Sequence, residues 1–488
     1  MDLREELDRV LGPGGAIARN HPRYEHRPGQ IRMAQAIHAA IEGKRHLCVE
    51  AGTGTGKTLA YLLPIILSDR RVVVSTATKN LQEQLFFRDV PFLEKALGRK
   101  FSVCYMKGRG NYLCRSKLEE IGKERLLFSP HDPRYLQSIR KWAQETETGD
   151  RAELAELPES LPLWQHLDAR RETCAGQKCK NFEICFVTKV RQQALESDII
   201  IVNHHLFFAD LALRQEDFGA ILPDYAILVF DEAHEIEDVA TQYFGVSVSS
   251  FRFEELARDA AKALGSTGGA TEYLSGRVEA LAGRASEFFA CFQSGEGRYV
   301  LGPLEQGPGP RRGPRGADRL GALYAEVREQ LDLVRAGLET VPAQSEVLET
   351  LVRRCAEISG DLAAVLESDS DENVYWCETR GRGMFLRASP INVSPILRDR
   401  LFGRVDSAIL TSATLSTAGN FHFVKSRLGL DDAGELIVPS HFDFGSQSVF
   451  YVPQDIREPR EDGWARDACD QLENILDASR GRAFVLFT

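Results

Sequence analysis

Residues 51–58 read AGTGTGKT, and this stretch constrains the fold more tightly than any other. Gly52, Gly54 and Gly56 free the backbone so that successive N–H groups can converge on phosphate oxygens at a helix N-terminus. The apolar run from His46 to Val49 predicts a short strand closed by Glu50, and Leu59 to Leu67 predict the helix that follows. Strand, loop, helix is the order that a phosphate loop requires. In it Lys57 would neutralise the β- and γ-phosphates of ATP, and the Thr58 hydroxyl would ligate Mg2+. Ala51 stands where the strict pattern has its first glycine.

Further short apolar runs lie outward from the loop. Arg71 to Ser75 (RVVVS), Ile199 to Val202 (IIIV), Ala226 to Phe230 (AILVF) and Ser407 to Leu415 (SAILTSATL) predict buried strands, because strands covered on both faces read as continuous apolar segments. Helical segments between them imply an α/β fold with a mainly parallel sheet. The third run leads straight into Asp231-Glu232-Ala233-His234 (DEAH). Asp231, at a strand end, is placed to hold the Mg2+ shell, and Glu232 to polarise an attacking water as general base. His234 is placed to relay nucleotide state. The two motifs together describe an ATP-driven motor.

Lys57 and Asp231 are 174 positions apart, more than one α/β lobe needs between its nucleotide motifs, so an insertion is expected over roughly Phe101 to Ser197. Cys114, Cys174, Cys179 and Cys185 fall inside it as C-x59-C-x4-C-x5-C. Zinc ribbons pair cysteines as C-x2-C knuckles, and this spacing suits four-thiolate ligation of a [4Fe-4S] cluster better; zinc and no metal are the alternatives. Cys48 in a predicted strand and Cys355 on an apolar helix face read as core packing. Cys104, Cys291, Cys377 and Cys469 carry no functional argument.

A helical block is expected from about Val246 to Asn373. Leu320, Leu323, Val327, Leu331, Val334 and Leu338 recur at spacings of three and four, as do Leu348, Leu351, Cys355, Ile358 and Leu362, the signature of amphipathic helices. Gly302 to Gly316 (GPLEQGPGPRRGPRG) reads as a mobile loop within the block. A third α/β region starts near Leu428 and stops at the apolar strand candidate 481–488 (GRAFVLFT), so the second lobe is expected to be incomplete.

The 488 residues suffice for two to four domains with sizeable cores. The longest apolar stretches are far shorter than a membrane span, and the charged start MDLREELDRV lacks the apolar core of a secretory signal. A cytoplasmic protein with reduced or metal-bound cysteines is expected, with no membrane association. A net charge of -11 argues against a surface that coats nucleic acid everywhere, yet leaves room for a locally basic groove. Thr76 and Lys79 in STATK, and Asn203 and His204 in VNHHL, follow strand ends and suit sequence-blind phosphate contact, with local loop-capping as the alternative for Asn203 and His204. Lys107, Arg109 and Tyr112 in MKGRGNYLC set two cations and a ring beside Cys114, a mixture suited to a single strand, with a solvated basic turn as the alternative.

Taken as a set, AGTGTGKT, STATKNLQEQL, KGRGNYLC, the spaced cysteines, VNHHLFFADL, FDEAH and LTSATL resemble the DinG/XPD group of superfamily 2 helicases, and KGRGNYLC and VNHHLFFADL most resemble its bacterial DinG and YoaA branch. Ser412-Ala413-Thr414 is similar to the motif that couples the sites of such helicases, and Gln30 in RPGQ stands where they place an adenine-reading glutamine. The resemblance implies a 5′-to-3′ DNA helicase of repair or replication, expected to be a monomer on single-stranded and forked DNA. It implies a first RecA-like lobe in three pieces (1–102, 198–245 and 376–427), an iron-sulfur domain at 103–197, a helical arch at 246–375 and a second lobe from 428. The family's Q-x-x-G-R-x-x-R string does not occur, so either the sequence is a fragment or the chain is not a complete motor. An ATP-gated single-strand-binding protein without processive unwinding is the rival reading, and a DEAH-type RNA helicase a weaker one.

Overall fold

The structure is a computed structural model describing residues 3–21, 24–121, 132–158, 161–170, 174, 176–214, 220–265, 272–292, 297–301, 314–341, 346–368 and 370–486. It divides into two units, 1–439 and 440–488.

Eleven strands are found among the described residues: β1 (Leu47–Ala51), β2 (Val72–Thr76), β3 (Val103–Tyr105), β4 (Ile199–Asn203), β5 (Ile227–Asp231), β6 (Val246–Ser249), β7 (Gly297–Val300), β8 (Asn373–Arg380), β9 (Gly383–Pro390), β10 (Ser407–Ser412) and β11 (Gly434–Val438). Seven of them form one sheet, ordered β11-β1-β10-β5-β2-β4-β3, and every pairing in it is parallel. Alternate residues of each strand enter different cores. Val49, Val72, Val74, Ile201 and Val229 pack on one face; Cys48, Val73, Ile200, Leu228 and Leu410 pack on the other. Burial on both faces is why these segments carry no polar alternation.

The order brings β10 between β1 and β5. The phosphate loop leaves the end of β1, DEAH begins at the end of β5, and Ser412 ends β10. All three therefore meet at the carboxyl ends of adjacent strands, where open α/β sheets bind their ligands.

Three boundaries differ from the sequence reading. β3 pairs with β4, so the main sheet takes Val103 to Tyr105 from the expected iron-sulfur segment. β8 and β9 belong to a second sheet, antiparallel and ordered β6-β9-β8-β7, whose Cys377, Met384, Leu386 and Ala388 share a core with the long helices Pro314–Glu339 and Glu346–Leu366. The helical block thus extends to Pro390. β11 pairs with β1, so the main sheet runs to Val438, past the boundary expected at Leu428. β8 and β9 pair with each other across the turn at Gly381 and Arg382, but their outer neighbours β7 and β6, like the partners of β3 and β11, lie far away in sequence, and short runs do not announce which sheet they will join.

A fourth core, of Leu113, Ile139, Leu163, Trp164, Leu167 and Phe186 among others, holds the cysteine-bearing segment together. Of the expected loop Gly302–Gly316, residues 302–313 lie outside the described residues and the remainder begins the helix Pro314–Glu339. In the unit 440–488 the described elements are the helices Phe444–Gln447 and Trp464–Ser479. Residues 481–486 form no strand there: a strand needs a hydrogen-bonded neighbour, and this unit has none among its described residues.

Candidate active site

Gly56 adopts φ 81°, ψ 40° and caps the helix Lys57–Leu67; Gly54 also has φ 81°. A side chain at Gly56 would bear left-handed strain of roughly 1–2 kcal/mol. Its Cβ would also stand 2.3 Å from the Gln30 amide nitrogen. That contact is close because Gln30 Nε2 donates to the Gly56 carbonyl at 2.9 Å. Pro28 opens the helix Pro28–Glu42 and brings the nearly buried Gln30 under the loop, so the glutamine braces the phosphate loop. Thr55 Oγ1 closes the turn by donating to the Gly52 carbonyl at 2.6 Å.

Lys57 Nζ lies 3.5 Å from Glu232 Oε1. Glu232 is held at φ 56°, ψ 49°, a left-handed conformation that a non-glycine residue adopts at a cost of about 1–3 kcal/mol. Its Oε2 accepts from Ser412 Oγ at 3.2 Å, and Ser412 Oγ is 2.9 Å from His234 Nδ1. Lysine, glutamate, serine and histidine from three different strand ends are thus joined in series.

Asp231 is buried, and its Oδ2 accepts from the Tyr61 hydroxyl at 3.1 Å. Burial, reinforced by the Glu232 charge and opposed by Lys57, pushes the Asp231 carboxyl up to about 6. A divalent cation would reverse that balance by supplying the missing positive charge. Tyr61 is fully buried; burial and the Asp231 charge raise its pKa well above the usual value, and the nearby Thr58 hydroxyl opposes them. Tyr61 thus stands beside both residues expected to serve Mg2+.

Two of these supports were invisible in the sequence. Tyr61 reads as one more apolar residue of its helix, and only its spacing of three from Thr58 hints at a shared face. Glu50, the end residue of the predicted first strand, accepts the Leu415 and Ser416 N–H groups through Oε2 at 2.7 and 2.6 Å. Burial raises its pKa, but these donors outweigh it and leave the carboxyl below its usual range. Glu50 fastens the segment after Ser412 to the phosphate-loop strand.

Two of the four cysteines stand at helix starts. Cys114 precedes the helix Arg115–Glu120 and Cys185 precedes Phe186–Glu196. Cys179 Sγ lies 3.2 Å from Ser116 Oγ. Burial raises the Cys114 pKa, the Lys117 and Ser116 N–H groups oppose it, and the Cys174 thiol is near enough to raise it further. Cys48 and Cys355 are core residues, each pushed up to about 12 by burial. Among the described residues no group of three or more His, Cys, Asp or Glu side chains converges as a metal site.

Residues 30–130 match the DEAD/DEAH box helicase family model and residues 167–252 the DEAD_2 model. The ATP-dependent DNA helicase YoaA of Haemophilus influenzae is 32% identical over 488 residues, which cover 100% of this chain and 75% of that protein. The chain belongs to the DinG/YoaA family of ATP-dependent DNA helicases. YoaA of Escherichia coli is 33% identical, covering 98% of this chain and 74% of that protein; the ATP-dependent helicase DinG of Mycobacterium tuberculosis is 29% identical, covering 95% and 71%.

Within this DinG/YoaA-type chain, the residues expected at DNA divide by exposure. Lys79 is exposed and donates to Asn111 Oδ1 at 2.8 Å; Arg109 is half-buried. Asn203 caps its helix by accepting from Leu206 N at 2.8 Å. Thr76, Lys107, Tyr112 and His204 are buried, unlike the open contacts expected of them. Thr76 Oγ1 donates to the Thr78 carbonyl at 3.1 Å. Lys107 Nζ pairs with Glu83 at 2.9 Å and Asp150 at 2.6 Å, and the Tyr112 hydroxyl accepts the Lys107 N–H at 2.9 Å. His204 Nδ1 is 2.7 Å from Ser75 Oγ. Thr76, Lys107 and Tyr112 thus found partners inside the fold, as burial requires, whereas His204 is paired through Nδ1 and its Nε2 is buried without a hydrogen-bond partner.

Proposed function

We propose that the protein couples Mg-ATP hydrolysis to 5′-to-3′ translocation on single-stranded DNA, unwinding forked substrates as a cytoplasmic monomer in DNA repair or replication. The observation that carries this reading is the series Lys57–Glu232–Ser412–His234. The lysine is placed to meet phosphate, Glu232 to activate water, and Ser412 with His234 to pass the state of the site to neighbouring elements. Asp231 and Thr58 would hold Mg2+, with Tyr61 orienting both. Gly52, Gly54 and Gly56 leave room for the phosphates, and Lys79, Arg109 and Asn203 are the candidates for DNA contact.

A [4Fe-4S] cluster on Cys114, Cys174, Cys179 and Cys185 belongs to the same reading. An all-thiol donor set fits it: Cys114 and Cys185 stand at the N-termini of two helices far apart in sequence, and Cys174 and Cys179 approach the first of them. Such a cluster would supply a rigid cross-link between segments far apart in sequence. Anaerobic protein should contain iron and labile sulfide, and Cys179→Ser should lose both while still binding ATP. Tailed duplexes test the direction: displacement on a 5′ tail supports the reading, and displacement only on a 3′ tail contradicts it.

A further inference from the structure

The antiparallel sheet has one face in the helical core and one in solvent. Facing the core are Cys377, Met384, Leu386 and Ala388. The opposite face is set by the register, which places Trp376 across from Arg387, Glu378 across from Phe385, and Arg298 across from Glu378; residues directly opposite in antiparallel strands project to the same side. Arg380 follows on β8 at the alternation of Trp376 and Glu378.

These side chains are organised. The Arg298 guanidinium lies 4.9 Å from the Trp376 ring centroid, and that of Arg387 lies 5.1 Å from Trp376 and 5.6 Å from Phe385. Trp376 Nε1 donates to Ser389 Oγ at 3.0 Å, which fixes the indole. The Arg298 side chain is 71% exposed, Arg380 is exposed and Trp376 and Phe385 are half-exposed. Three arginines stand against one acid, Glu378, which pairs with Arg298 at 3.2 Å and Arg387 at 3.9 Å. Burial lowers the Arg387 pKa, Glu378 opposes this, and the Arg298 and Arg380 charges lower it further. Arg387 Nε is buried without a hydrogen-bond partner. The face therefore carries unneutralised positive charge in a chain whose net charge is -11.

We propose that this face, built on β7, β8 and β9, is a platform for single-stranded DNA, separate from the strand ends of the motor sheet. The inference rests on the reading that the protein acts on DNA. A single strand offers an anionic backbone and unpaired bases, and the face offers their complements: guanidinium groups for phosphate, and ring and guanidinium planes for stacking. Fixed planes bind at low entropic cost, because Ser389 and the flanking arginines already order the indole. Duplex DNA hides its base faces and gains only the charge contacts.

The test measures binding of a labelled thymidine oligomer across a salt series by fluorescence anisotropy. Arg298→Ala with Arg380→Ala should flatten the plot of log affinity against log salt by about 1.4, two phosphate contacts at about 0.7 each. Trp376→Ala should bind about tenfold more weakly with its slope unchanged. ATP hydrolysis without DNA should stay at the wild-type rate in both variants. Arg298→Glu, at an exposed position, covers the case in which Trp376→Ala fails to fold, and should weaken binding at low salt. Wild-type binding with all three variants unchanged would overturn the platform and leave the DNA reading standing; no binding by the wild type would overturn both. Displacement of the oligomer by polyglutamate of equal charge as readily as by unlabelled oligomer would assign the face to an acidic protein segment and also overturn the proposal.

Discussion

His234 Nδ1 lies 2.9 Å from Ser412 Oγ across 178 positions of sequence, so the acidic box after β5 is joined to the end of β10. The same serine oxygen contacts Glu232 at 3.2 Å. One hydroxyl thus touches both the group placed beside the phosphates and the group that faces outward.

Ser412→Ala removes that hydroxyl and nothing else of comparable size. ATP affinity should hold, because Lys57 and the loop are untouched, while unwinding per ATP hydrolysed should fall about tenfold, within the usual range of coupling free energies. Parallel measurement of hydrolysis and strand displacement checks this. An equal fall in both would place Ser412 in the chemical step instead.

Tyr61→Phe deletes the donor to Asp231 and the link to Thr58 while keeping the ring in its core. The Mg2+ concentration at half-maximal hydrolysis should rise about tenfold, the lower end for loss of a group that orients a metal ligand. An unchanged Mg2+ titration would show that the tyrosine serves packing alone.

Lys107→Ala leaves Glu83 and Asp150 without their cation. The Asp150 side chain is only 12% exposed and that of Glu83 is 37% exposed, so the loss should be about 2–3 kcal/mol, below that of a fully buried pair. Thermal melting should show it, and the salt dependence of single-strand binding should not change. A flattened salt slope with a normal Tm would return Lys107 to the DNA path.

Burial lowers the His204 pKa to about 4, against the backbone of Glu232 and Asp231, which raises it. An unfolded histidine takes up its proton near 6.5. Between about pH 4 and 6.5 the unfolded chain therefore binds the extra proton, and the stability His204 contributes is present above 6.5 and lost as pH falls. The Tm advantage of the wild type over His204→Asn should shrink from pH 7 to pH 4. A constant difference would contradict the buried, neutral ring.

The parts legible in sequence were those whose cause is local. Glycine spacing at residues 52–56 and the apolar runs of β1, β2, β4, β5 and β10 each declare themselves within a few residues. Sheet membership of β3, β8, β9 and β11 was not legible, because it depends on pairing with segments tens or hundreds of positions away. The candidate site divided the same way. Lys57, Asp231 and Glu232 follow from motifs, whereas the Tyr61 and Glu50 contacts arise only when the helix and strands are assembled. In sequence Lys107, Tyr112 and His204 look open because polar residues near a loop usually are; carboxylate, backbone and hydroxyl partners take them inside.

The central claim is that the meeting point of β1, β5 and β10 is an ATP-hydrolysing site with a divided task. The most direct measurement compares Mg-ATP affinity and single-turnover hydrolysis in Lys57→Ala and Glu232→Gln. Lys57→Ala should lose affinity through loss of phosphate charge, whereas Glu232→Gln should bind Mg-ATP nearly as the wild type does and hydrolyse it orders of magnitude more slowly. Equal affinity and equal residual turnover in the two variants would contradict the account.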